Sequence, residues 1–165
     1  MEINGLPAHV LLVHAAVVLV PVGSLVSIAY AAVPRWRWLT RWPAVGAALA
    51  ALAAVVAAYL SGKNFLEGRL AAGSVQETAV LTLHQQRAEI LLWLTVIFAV
   101  SVLAAAWGLG GPSALVSGRG ERGKHDPLIE WSLVSMVVVF AVLVLLMAIA
   151  TGEAGTRAHW GAIPF

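Results

Sequence analysis

Four long apolar stretches, separated by short polar ones, set the pattern of this chain. They cover about residues 10–33, 44–61, 88–109 and 129–151, and none carries Asp, Glu, Lys or Arg in its middle. Each is long enough to cross about 30 Å of hydrocarbon as a helix. Backbone polar groups in lipid must be satisfied internally, and the alternating pattern of a membrane β-barrel is absent. The pattern therefore predicts an all-α polytopic membrane protein: a four-transmembrane-helix bundle forming one integral membrane domain over residues 1–165.

Proline and glycine punctuate these stretches. Pro7 suits the first turn of helix 1, where its missing N–H costs nothing, and Pro34 ends that helix. Pro43 is expected to open helix 2, and Pro21 with Gly23 to bend helix 1. Gly108, Gly110, Gly111 and Pro112 are expected to end helix 3, and Gly152 and Gly155 to end helix 4. Residues 76–87 lack Pro and Gly and have helical character, so helix 3 is expected over about 76–109, protruding from the bilayer. Residues 63–74 read as a short interfacial helix. Helix 2 is nearly all small residues, with Ala47 and Ala51, Ala50 and Ala54, and Ala53 and Ala57 at four-residue spacing. Small residues let helices approach closely in lipid. No internal sequence repeat is evident.

Composition agrees with this class. The chain is 61% hydrophobic and 11% charged, against about 25% charged in soluble domains, and its mean hydropathy is +0.89. There are no cysteines, so disulfides, thiolate metal sites and iron–sulfur ligation are excluded. Met136 and Met147 sit within an apolar helix, which argues against a Met-rich copper site. The formal charge of +2 is spread over loops, so no nucleic-acid stripe is expected. Met1 to Ala8 lacks the basic flank of a signal peptide, so the first apolar stretch is expected to stay in the mature protein.

The basic residues suggest an orientation. Loops 1 and 3 hold Arg35, Arg37, Arg41, Arg119, Arg122 and Lys124, while the other side holds Lys63, Arg69, Arg87 and Arg157. The positive-inside rule then places loops 1 and 3 in the cytoplasm and both termini outside. Trp36, Trp38 and Trp42 fit an interfacial aromatic belt.

Four of the five histidines fall on one side of such a bundle. His9 and His14 enter helix 1, His84 precedes the third apolar stretch and His159 follows the fourth, while His125 lies opposite. A five-residue separation places His9 and His14 about 7.5 Å and about 140° apart on a helix, so they cannot share one ion from one face. His14 is the deeper, and an intramembrane ionisable residue marks a functional site by default. Imidazole ligates haem iron and non-haem metals. The leading expectation is a b-type haem for electron transfer, with His14 and His84 approaching each other and His9 with His159 as second partners. Arg87 and Arg157 would meet the propionates. Glu153 would orient an imidazole or complete a non-haem site with His9, His14, His84 and His159.

Two other readings stand beside this one. The protein is a non-catalytic accessory or assembly subunit, with helix 2 packed on a partner and the histidines as polar contacts. Alternatively, it holds a non-haem transition metal. Its surroundings would be membrane lipids, a redox partner or complex subunits, and further copies of itself. No phosphate loop, nucleophile elbow or zinc helix signals a stand-alone enzyme.

The stretch L-P-A-H-V-L-L-V-H over residues 6–14 resembles the opening motif, roughly P-x-H-P-L-L-V-H-F-P, of a bacterial family of small four-helix membrane proteins of unassigned function. Pro7, His9, Leu11, Leu12, Val13 and His14 match it, while Val10, Ala15 and Ala16 depart. The resemblance extends to a histidine at the start of helix 3, like His84, and loosely to a glycine-bearing end with His159. Relatives joined to Rieske-type domains imply electron transfer near a membrane. In helix count the chain also resembles di-haem membrane cytochromes b, although histidines gathered on one side suit one haem rather than two.

Overall fold

A computed structural model describes residues 2–3, 6–73, 78–109 and 127–160, without the side chains of 2–3, 6–7 and 158–160. A two-residue antiparallel pair, β1 (Glu2–Ile3) with β2 (Leu6–Pro7), precedes four helices. These are α1 (Ala8–Ala32), α2 (Arg37–Ala71), α3 (Ala79–Gly108) and α4 (Pro127–Trp160), with a 3-10 turn at Pro34–Trp36 between the first two. All four are long and apolar enough to cross a membrane, so the protein is an all-α, multi-pass membrane bundle.

The helices outrun their apolar stretches. α2 has 35 residues and α4 has 34; at 1.5 Å per residue each is about 50 Å long, well beyond the hydrocarbon. Protrusion is thus shared by several helices rather than confined to the third. α2 runs through Pro43, whose ring faces outward, and absorbs the segment expected as a separate interfacial helix. It stops where Gly73 adopts φ +65, the left-handed conformation that ends helices and that a Cβ disfavours. α3 begins at Ala79 rather than near 76, because the Thr78 side chain caps it by accepting from the Leu81 N–H. α4 continues through Gly152 and Gly155, the expected stops. A glycine costs a helix only about 1 kcal/mol, too little to end one that packs on a neighbour. The expected break at residues 110–112 lies outside the described residues.

The bundle is a four-cornered ring. α1 packs on α2 and α4, α3 packs on α4 and α2, and the pairs α1/α3 and α2/α4 stand diagonally. A repeat invisible as residue identity emerges in the register of burial. Val20, Gly23, Ser24, Ser27, Tyr30 and Ala31 are buried on α1. Their counterparts 75 positions later, Thr95, Phe98, Ala99, Val102, Ala105 and Ala106, are buried on α3. Ala44, Ala48 and Ala51 of α2 likewise correspond, 93 positions on, to buried Val137, Ala141 and Val144 of α4.

Two cross-bundle bonds join equivalent positions. The buried Tyr30 hydroxyl donates to the Ala105 carbonyl at 3.0 Å, and Arg37 Nη1 donates to Glu130 Oε1 at 2.6 Å. Bonds between equivalents lie beside a pseudo-twofold axis, here running along the bundle. The sequence carries no repeat of residue identity, yet the two helical hairpins share one packing scheme. The scheme asks only for side chains of fitting size, so residue identities are free to differ.

A close approach of α1 to α2 at Gly23 fits the role expected of small residues at Ala47 and Ala51, whereas Ala53 faces outward. A Cβ placed on Gly23 would stand 3.1 Å from the Ala47 carbonyl oxygen and 3.5 Å from the Ala51 Cβ. Ala51→Leu is expected to destabilise the bundle by about 1–3 kcal/mol, since overpacking strains a filled core. Unfolding in mixed micelles would read this, and unchanged stability would contradict close α1–α2 packing.

Candidate functional histidine pair

The pseudo-twofold places two histidines in equivalent settings at one end of the bundle. His9 enters α1 and leans on α2, and His84 enters α3 and leans on α4. The His9 Nδ1–H is shared between the Ala58 carbonyl at 3.0 Å and Ser61 Oγ at 3.3 Å. The His84 Nδ1–H donates to the Thr151 carbonyl at 3.0 Å. A carbonyl only accepts, so each bond fixes the proton on Nδ1.

Both rings lie over a glycine one turn beyond that carbonyl. A Cβ on Gly62 would stand 2.8 Å from His9 Cε1, 3.1 Å from Nδ1 and 3.5 Å from Nε2. On Gly155 the corresponding distances to His84 are 3.0, 3.2 and 3.7 Å. The same ring atoms approach in the same order, so the two imidazoles share one orientation. Phe65 also stacks on His9, with ring centroids 6.3 Å apart. The rings are half-buried, and His84 is near enough for its charge to act on His9.

Neutral imidazole with Nδ1–H held by a backbone carbonyl presents its lone pair at Nε2. Histidine ligands of metals are oriented in this way. Among the described residues no hydrogen bond engages Nε2 of either ring. Two imidazoles preset in this way at one end of the bundle can serve as ligands or as proton acceptors.

The other expected site residues are placed differently. His14 lies on the exposed face of α1, its Nδ1 bonded to the Val10 carbonyl of its own helix at 2.6 Å. His14 does not face the bundle as the expected pairing with His84 requires; His9 is the α1 histidine turned inward. The five-residue offset rotates His14 away once His9 faces inward. Arg87, half-buried, donates from Nη1 to the Ala150 carbonyl at 2.8 Å, next to the carbonyl that holds His84. Arg157 and Glu153 pair with each other at 2.6 Å on the surface of α4, with 71% and 54% of their side chains exposed. Such an exposed pair is worth little, and its carboxylate is directed to Arg157 rather than to an imidazole. The side chain of His159 and all of His125 lie outside the described residues.

Gly62, Gly155 and the carbonyls of Ala58 and Thr151 were not legible as site groups. Glycines in these contexts read as helix ends, and a carbonyl carries no side-chain signature. Among the described residues no three His, Asp or Glu side chains gather as a metal cage. An open groove of about 510 Å³, lined by Gln86, Glu89, Ile90, Trp93, Leu94 and Ile97, comes from one helix alone and contains no histidine. Comparison with protein-family models, with curated proteins and with solved structures gave no match for this chain.

Proposed function

We propose that the protein is an electron-transfer membrane protein that binds a b-type haem through His9 and His84. The observation that carries this reading is the matched pair of Nδ1–H bonds to neighbouring helices, which leaves both Nε2 atoms without a partner among the described residues. The number of ligands favours haem over a bare ion. A structural zinc asks for four protein ligands and a catalytic one for three. Haem brings four equatorial nitrogens and asks the protein for two axial ones. Arg87 would meet a propionate from its position beside His84. The resemblance of residues 6–14 to a family with Rieske-linked members points in the same direction.

The orientation belongs to the same proposal: inner bacterial membrane, histidine end outward and loops 1 and 3 in the cytoplasm. With no native cysteine, Thr78→Cys is expected to label from outside intact cells and Arg119→Cys to be protected. The reverse pattern would invert the protein and put the site at the cytoplasmic face.

An absorbance spectrum of the purified protein tests the cofactor. A Soret band, with visible bands that sharpen on reduction, is expected. Gly62→Ala is expected to weaken binding although both histidines remain, because its new methyl would enter the space of His9 Cε1. A colourless protein from haem-replete cells, with blank metal analysis, would defeat the proposal. One observation favours a second reading, that of an accessory subunit. His14 is exposed on the outer face of α1, a position that would be costly in lipid and that a partner helix would relieve, and cross-linking from Val18→Cys on the same face would capture that helix.

A further inference from the structure

At the end of the bundle opposite the histidines, two arginines one turn apart hold more positive charge than their neighbours among the described residues neutralise. Arg37 is buried, with only 6% of its surface exposed. Its Nη1 donates to Glu130 and its Nη2 to the Ala31 carbonyl at 3.1 Å, while Nε is buried without a partner. Arg41 is half-buried, and its Nε is also buried without a partner. Among the described residues Arg41 makes no hydrogen bond or ion pair, and its guanidinium lies 5.4 Å from the Trp42 ring. Both guanidinium groups act electrostatically on Tyr30, so they share one locale. Among the described residues Glu130 is the one carboxylate in contact there, and it is spent on Arg37.

A half-buried guanidinium without an acceptor is costly, and each missing charge-assisted bond forfeits more than a neutral one. An anion would supply those acceptors. The surroundings select its kind. Trp38 and Trp42 are half-exposed at 48% and 51%, as expected of rings at headgroup level. Below Trp42 the outward face of α2 continues through Gly46, Leu49 and Ala53. Nothing stands within 4 Å of a Cβ built on Gly46. An acyl chain can lie along that small-residue stripe while its phosphate meets the arginines.

We propose that Arg37 and Arg41 bind the phosphate of an anionic phospholipid whose chain lies on the outward face of α2. Arg41 supplies the free charge, and Arg37, anchored by Glu130, lines the inner side. Basic sites at helix ends commonly take anionic lipid, at an electrostatic gain that amounts to about fivefold in affinity per arginine.

Native mass spectrometry of the full chain in detergent tests this, with phosphatidylglycerol and phosphatidylcholine of matched chains as probes. Phosphatidylglycerol is expected to be retained about fivefold over phosphatidylcholine. Arg41→Gln is expected to remove that preference, Arg41→Lys to keep part of it, and Lys63→Gln at the far end to leave it unchanged. Arg41 bonds to no other element among the described residues, so lipid-free unfolding of Arg41→Gln should match the parent protein, which separates lost binding from lost folding. Equal retention of the two lipids, or an unaltered preference in Arg41→Gln, would overturn the proposal. Displacement of phosphatidylglycerol by equimolar inorganic phosphate would overturn the lipid assignment in favour of a free-anion site.

Discussion

His9→Ala and His84→Ala are each expected to abolish the Soret band or leave a weak high-spin species, whereas His14→Ala should retain the parent spectrum. His9 and His84 face the bundle with Nδ1 already donated and Nε2 without a partner among the described residues. His14 faces outward and is bonded to its own helix. Among the described residues no third inward-facing imidazole stands at this end to replace a lost axial ligand. The contrast between His9 and His14 decides the matter, because they are five residues apart on the same helix. A band lost in His14→Ala and kept in His9→Ala would transfer the site to the outer face of α1 and require a second chain to complete it.

The second large effect concerns stability and is asymmetric. Glu130→Ala is expected to cost about 3 kcal/mol, the lower end of the range for removing one partner of a buried pair. It strands the Arg37 guanidinium, whose side chain is 7% exposed. Arg37→Leu should cost less, about 1 kcal/mol. It leaves a carboxylate that is 45% exposed and can be hydrated, and the leucine fills apolar space. The loss it does incur comes from the Ala31 carbonyl at the end of α1, which Arg37 satisfies. Chemical unfolding in a fixed detergent would compare the two. Equal costs would show that the pair is hydrated in the membrane and holds nothing together across the axis.

Much of the architecture was legible because the bilayer imposes a demand that one dimension can express. About twenty apolar residues without a central charge must become a helix, since only a helix satisfies its own backbone in lipid. The count of helices, the co-facial ends of α1 and α3, and the close packing of the Ala-rich α2 all followed from that demand. Helix ends were less legible. Pro43, Gly152 and Gly155 read as boundaries, yet the helices pass through all three. The membrane's own limit does not apply beyond the hydrocarbon, and neighbouring helices support the extra turns.

The histidine site divides in the same way. The sequence by itself determined which imidazoles share an end of the bundle, because parity of crossings is a property of order along the chain. Only the tertiary structure decided that His9 and not His14 turns inward. Rotation of α1 about its axis is set by what packs on it, and α1 is apolar on every side, so no amphipathic stripe announces its inner face. The repeat was hidden for a related reason: it conserves burial and backbone approach, which Gly62 and Gly155 provide by having no side chain. An interaction made by the lack of atoms leaves little trace in a sequence until the helix that fills the space is known.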